Sequence, residues 1–366
     1  MDELSAAKTC FGADYAQARK RFLTAAKRAK SPVYSYLNPH RGPNGERLTT
    51  DTAWVGPKGA RNVLVLISGT HGVEGFCGSG CQVDWLRSGR ELPRDTAVLL
   101  VHAINPYGFA WLRRVTEDGV DLNRNFVDFT KRLPTNPGYD ALASAILPKK
   151  LSGPGFKAAQ KRLEAYRAKH GVQALAVAVS GGQYKHPHGL FYGGAKPTWS
   201  RGVHGRIIED YEMAKRRFVA VLDYHTGLGP HGYGELISTH LPKTRGAKRN
   251  KAWYGDSVTE PLGGTSQAGA RHGFSNLLWE EKLGDRCNYV AIEYGTYPTD
   301  TVVLPALVAD HWLHGQKGFR WNSKLTRGIK AQIRHAFYGD NDLWREAVLF
   351  RSRQTIRLAL RGLSGA

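Results

Sequence analysis

Residues 67–80 read "ISGTHGVEGFCGSG", which sets His71 and Glu74 three apart in a glycine-rich turn after an apolar run. Alone, the pair is equally the polar first turn of a helix. Metal chemistry needs a third ligand, and "DYHTGLGP" (223–230) supplies one far along the chain, His225. Two imidazoles and one carboxylate form a common catalytic zinc set, with three protein ligands and one position left open. Asp223, two residues before His225, shares its face of a strand and can take the imidazole's other N–H. A fourth group stands in "NYVAIEY" (288–294), where Glu293 interrupts an apolar, β-branched run. A carboxylate there is costly to bury unless it is paired or works. Beside a metal-activated water it can act as general base and then acid.

These residues must be delivered by a scaffold. Short apolar runs bounded by Gly, Pro or polar turns predict buried strands at 62–68, 97–104, 175–180, 218–224, 235–240 and 288–294. Helical patterns alternate with them in "GSGCQVDWLRSG", "FKAAQKRLEAYRAKH" and "HGRIIEDYEMAKRR". The expectation is an α/β fold, three-layer α/β/α with a mixed, mostly parallel twisted sheet. One domain is expected over 1–366, with an N-terminal helix at about 13–30 and a C-terminal helical region at about 301–361 packed on it. Ligands bind outside the carboxyl ends of strands in such sheets. Four runs would thus bring His71 with Glu74, Asn105, His225 and Glu293 to one sheet edge.

In chain order, "HGVEG", "NPYGFAWLRRVTEDGVDLNRNF" (105–126), "DYHTG" and "AIEYG" resemble the zinc metallocarboxypeptidases of the carboxypeptidase A superfamily, an example that general accounts of zinc sites also use. "SGTHGVEGFCGSG" and "GQYKHPHGLFYGG" resemble a poorly characterised bacterial branch of it, and the ordered motifs span about 67–297. The resemblance implies a zinc ion on His71, Glu74 and His225, with Glu293 as general base. It implies that Asn123 and Arg124 grip a substrate carboxylate, and that Arg113 or Arg114 stabilises an oxyanion. No motif matches the mobile tyrosine that covers the substrate in digestive carboxypeptidases. The implied activity is hydrolysis of an amide bond in a small peptide or, alternatively, an N-acyl amino acid, as in aspartoacylase-like deacylases; either substrate bears a free carboxylate.

The glycine- and aromatic-rich stretch 181–194, with Tyr184, is expected to line the substrate pocket. Lys and Arg number 52 against 31 acids, a formal net charge of +21. These cations are dispersed, and no nucleic-acid motif accompanies them, so they read as a solvated surface. The remaining rival is a non-catalytic basic binding protein. Four cysteines make no disulfide framework; Cys77 and Cys81 read as core residues. His102, His231 and His240 read as hydrogen-bonded structural residues. No stretch approaches the ~18–20 apolar residues of a membrane helix, and the first thirty residues lack an apolar secretion signal. The expected location is cytoplasmic.

Overall fold

The computed structural model describes residues 7–89, 91–266, 268 and 271–365. Strands β1 (Val33–Arg41), β2 (Arg47–Val55), β3 (Asn62–Ile67), β4 (Thr96–His102), β5 (Phe218–His231), β6 (Gly234–Ser238) and β7 (Cys287–Gly295) form one mixed sheet. Their order is β1-β2-β4-β3-β5-β7-β6. The centre, β4, β3, β5 and β7, is parallel, while β2 and β6 run against their neighbours.

Period-two alternation sorts the side chains of β3 onto both faces. Leu64 and Leu66 join Leu222 and Ile292 in one core, closed by Phe22, Phe76 and Ile356. Those three come from the helices Tyr15–Arg28, Gly75–Arg87 and Asp342–Ser364. Val63, Val65 and Ile67 join Leu99 and Val219 in a second core, closed by Ile207 and Trp279. These belong to the helices Trp199–Asp210 and Asn276–Leu283. The result is three layers, α/β/α. Each buried aliphatic side chain contributes about 1.5–3 kcal/mol, so strands covered on both faces make a rigid platform for whatever follows their ends.

A third cluster caps the carboxyl ends. Val73, from the turn after β3, packs with Tyr139, Val179, Leu307, Ile333 and Phe337. These lie on the helices Pro137–Ile146, Val172–Ser180, Leu304–His314 and Lys324–Phe337.

Five of the six expected strands are present. The run at 175–180 is instead part of the helix Val172–Ser180. Its alanines favour a helix, and Ala178 and Val179 are buried while Val172 and Val177 are exposed, a one-sided burial that suits a cap. Strands β1 and β2 were not expected. β2 reads "RLTTDTAWV" and buries threonines and Asp51; its β-branched threonines suit a pleated surface despite their polarity.

Candidate metal centre and its cavity

His71 leaves the end of β3 and opens the tight turn Gly72–Glu74, which leads into the helix Gly75–Arg87. The turn lies against the segment after β4. The N–H groups of Gly72 and Val73 donate to the carbonyls of Arg114 and Arg113 at 3.2 and 2.9 Å. A Cβ at position 72 would stand 2.0 Å from the backbone of Gly108. Only glycine permits this approach, which brings the 105–116 segment over the metal ligands.

His225 sits on β5 directly beside Glu293 on parallel β7, so both side chains leave the same face of the sheet. The Nδ1 atoms of His71 and His225 are 3.3 Å apart. One Glu74 oxygen stands 2.9 Å from the first, and the other stands 3.1 Å from the second. The ligand atoms of all three residues lie within 4.8 Å of one another, and all three residues are buried. Tetrahedral zinc with bonds of ~2.0–2.2 Å separates its donors by about 3.3 Å. The observed spacing fits that cage.

The outer nitrogens are also provided for. His225 Nε2 is 2.9 Å from Asp223 Oδ2, while His71 Nε2 is 3.2 Å from Asp121 Oδ1 and 2.8 Å from Arg114 Nη2, which can only donate to it. With its Nε2–H on Asp223, His225 turns a lone pair towards Glu74. Two acceptors at 3.1 Å repel, so either a proton on Nδ1, which then donates to Glu74, or a metal cation lies between them. The electrostatics show the same demand. Burial opposes charge on His225, yet Asp223 and Glu74 raise its pKa well above the ordinary imidazole value. Burial would also raise Glu74, but His71, His225 and Arg114 hold it well below the usual carboxylate range. Asp121 is likewise held far down, against burial, by Arg114, His71 and Arg124. The centre favours positive charge, and its three ligand residues are grouped as a metal ion would need them.

Glu293 behaves in the opposite way. Burial first, and then the nearby Glu74 charge, push its carboxyl up to about 8. Oε1 accepts from the N–H of Leu228 at 3.2 Å, and His71, His225 and Glu293 border one cavity of about 620 Å³. A carboxyl poised near neutral pH beside a metal site has the character of a proton shuttle.

The two arginines of "WLRRV" part company. Arg114 borders the cavity, donating to Glu74 Oε1 and Asp121 Oδ2 at 2.9 Å each. Arg113 is bound to buried Asp310 at 3.2 Å, does not border the cavity, and so offers no charge to a reacting centre. Asn123 and Arg124 also border the cavity. Asn123 Nδ2 is 3.5 Å from His225 Nε2, and its Oδ1 accepts from Ser275 N. Arg124 donates to the carbonyls of Asn123 and Ser180 at 2.8 Å each, while its buried Nε has no partner. Close glycines make room for it: a Cβ at Gly182 would lie 2.6 Å from Arg124 Cδ. Tyr184, expected in the pocket, lies behind it. Its hydroxyl donates to Arg124 O at 2.6 Å, so it braces the arginine and is not on the cavity wall. From the same loop, Phe191 does border the cavity, under the guanidiniums of Arg114 and Arg124.

Asn105 caps the short helix Pro106–Ala110 by accepting from Gly108 N, and it is not part of the centre. Cys77 and Cys81 are buried. His102, His231 and His240 bond to Ser79, to Thr296 O, and to Tyr289 N and Glu280 respectively. Two site residues escaped the sequence reading. Asp121 immediately precedes "LNRNF" and was legible as an acid next to the motif. Arg271 reaches the cavity on a loop, with no sequence signal.

Over residues 11–351 the chain matches the family described as "Protein of unknown function (DUF2817)". It belongs to that family. No curated protein matches this DUF2817 member. Among solved structures it is similar to bovine thrombin-activatable fibrinolysis inhibitor, seen in complex with tick carboxypeptidase inhibitor. That likeness has 10% identity and a TM-score of 0.44, over 95% of this chain and 98% of that one. It is also similar to a metallo-carboxypeptidase from Burkholderia cenocepacia, at 13% identity and TM-score 0.39, over 87% and 66% of the two chains. An aspartoacylase family protein from Mesorhizobium loti matches at 16% identity and TM-score 0.34, over 79% and 68%. Among the described residues, no helix is long and apolar enough to cross a membrane.

Proposed function

We propose that this protein is a zinc-dependent hydrolase that cleaves an amide bond in a small substrate bearing a free carboxylate. One observation carries the reading: His71, Glu74 and His225 converge, with the outer nitrogen of His225 on Asp223, and Glu293 stands beside His225 at the same cavity. Zinc at such a set supplies a Lewis acid that makes water acidic near neutral pH and polarises a carbonyl.

The chain's residues supply the rest. The Glu293 carboxylate takes the proton of the attacking water and returns it to the leaving nitrogen, a task matched by a carboxyl poised near neutral pH. Asp223 fixes the ring of His225. Arg114 places a positive charge at the metal side of the cavity, where an oxyanion would develop. Electrostatic contacts of that kind are worth a few kcal/mol in a closed site. The planar fork of Arg124, with Asn123 beside it, suits a substrate carboxylate.

A peptide C-terminus and an N-acyl amino acid both present that carboxylate. The test is a panel of dipeptides and N-acyl amino acids, assayed for amine release with zinc-loaded and chelator-stripped protein. Zinc-dependent release from either class, lost in Glu293→Gln, supports the reading. Zinc-loaded protein that hydrolyses no member of the panel would overturn it.

A further inference from the structure

The segment that carries Arg114 turns at an unfavourable residue. The helix Pro106–Ala110 ends with the N–H groups of Leu112 and Arg113 donating to the carbonyls of Phe109 and Gly108 at 3.3 and 2.7 Å, the bond pattern of a left-handed helix stop. Glycine usually fills the left-handed position, because a Cβ there crowds the following carbonyl. Here the residue is Leu112, at φ +49°. A side chain in that conformation persists only where its surroundings over-determine it. The next two residues depend on the turn. The carbonyls of Arg113 and Arg114 accept from Val73 and Gly72 in the metal turn, and the Arg114 side chain donates to Glu74.

What holds the turn lies in the cap. Lys330, on the helix Lys324–Phe337, donates to Asp310 Oδ1 at 2.6 Å and stands 3.5 Å from the carbonyl of Leu112. The other Asp310 oxygen accepts from Arg113 Nε at 3.2 Å. Lys330 also donates to His314 Nε2 at 2.8 Å, and burial, with Arg113 and Lys330 beside it, keeps that imidazole neutral. Burial opposes charge on Asp310, yet Lys330 and Arg113 hold it well below the usual carboxylate range. Arg113, Asp310 and Lys330 are all buried, and none borders the cavity. Such a buried charge group is often no more stabilising than an apolar cluster of the same volume. Its position gives it a task. Two cap helices grip residues 112 and 113 from one side, and residue 114 is sent to the other.

We propose that Asp310 and Lys330 are positioning residues: through Arg113 and the Leu112 carbonyl they hold the left-handed turn, and so fix where Arg114 presents its guanidinium to the metal side of the cavity. The consequence for turnover rests on the hydrolase reading above; the hold on Arg114 rests on the geometry alone.

The experiment follows turnover, zinc content and amide hydrogen exchange in Arg113→Met and Asp310→Asn. Arg113→Met leaves the Asp310–Lys330 pair in place, so it stays informative if Asp310→Asn does not fold. The folded variants should keep their zinc and lose roughly 10- to 100-fold in kcat with KM little changed, as for a misplaced transition-state contact. In an Arg114→Gln background the same substitutions should add almost nothing, because the residue they act through is already gone. Leu112→Gly should restore part of the loss in Arg113→Met, since glycine stays left-handed without a clamp. Exchange over residues 105–116 should quicken in both variants while that of β3 does not. Unchanged kcat, or an equal loss factor with and without Arg114, would overturn the proposal. If no substrate is turned over, the hydrolase reading falls by itself and exchange decides the clamp. Quicker exchange over 105–116 in Arg113→Met supports it, and unchanged exchange refutes it.

Discussion

Asp223→Asn is the perturbation whose effect follows most closely from the geometry. Asp223 is fully buried, accepting from His225 Nε2 at 2.9 Å, from Tyr289 OH at 2.8 Å and, through its other oxygen, from Thr70 Oγ1 at 2.8 Å. An asparagine with its oxygen towards His225 and Tyr289 and its amide on the Thr70 hydroxyl keeps every hydrogen bond, so fold and tautomer survive. What is lost is the charge. Hydrogen bonds to a charged acceptor are worth roughly 1.5–3 kcal/mol, against about 1 for neutral ones. The difference, of order 1 kcal/mol, predicts zinc binding weakened about fivefold. Asp223→Ala also removes the tautomer lock and should reach the ~100-fold end of the range known for such partners. The assay is competition with a chelating dye, with far-UV circular dichroism to confirm folding. Folded Asp223→Asn and Asp223→Ala proteins that bind zinc as tightly as the unmodified one would show that His225 is not a ligand oriented by Asp223.

Other expectations can be checked alongside. Glu293→Gln should retain zinc and lose about 10²- to 10⁴-fold in turnover; full activity would remove Glu293 from the chemistry. In metal-stripped protein, Glu293 is protonated in the fold but ionised in the unfolded chain between pH 4.5 and about 8. Its contribution is therefore intact below pH 4.5 and lost as pH rises through 8. The gap in Tm between the unmodified protein and Glu293→Gln should change across that window, and parallel curves would refute the shift. Chelation should lower Tm, and zinc should restore it, by about 4 kcal/mol of stability at a thousandfold excess over Kd; an unchanged Tm would argue against a resident ion. Lys330 and Asp310 form a buried pair at 2.6 Å, joined by Arg113. Lys330→Met should cost about 3 kcal/mol, the low end for a broken buried pair because Arg113 remains. It should leave zinc content unchanged; undisturbed stability would contradict the pairing.

Legibility in the sequence followed burial. β3, β4, β5 and β7 are apolar along nearly their whole length because they are covered on both faces, and the polar residues that break those runs announce the turn with His71 and, within β5, His225. β2 lies in the same sheet, but the middle of its buried stretch, on both faces, is threonines and Asp51, whose hydrogen bonds are visible only in three dimensions. The apolar run at 175–180 looks like a strand until its one-sided burial in the cap makes it a helix. In the site, the motifs pointed to the three candidate metal ligands and Glu293, and the family resemblance pointed to the Asn123–Arg124 pair; the structure brings all six residues to one cavity or its edge. Spacing left Arg113 and Arg114 equivalent, since what separates them is Asp310, almost two hundred positions away. Tyr184 looked like a pocket residue by composition, yet Gly193, whose Cβ would lie 2.2 Å from its ring, lets the tyrosine turn behind Arg124. Arg271 depends on a glycine conformation and on Ser180, and neither forms a pattern along the chain.

Zinc K-edge absorption spectroscopy of the purified, zinc-loaded protein tests the central claim most directly. The account predicts two nitrogen neighbours and one or two oxygens at about 2.0–2.2 Å, with the imidazole signal reduced in His71→Ala and in His225→Ala. A shell with sulfur at about 2.3 Å, or a spectrum unaltered by either substitution, would place the metal elsewhere and contradict it.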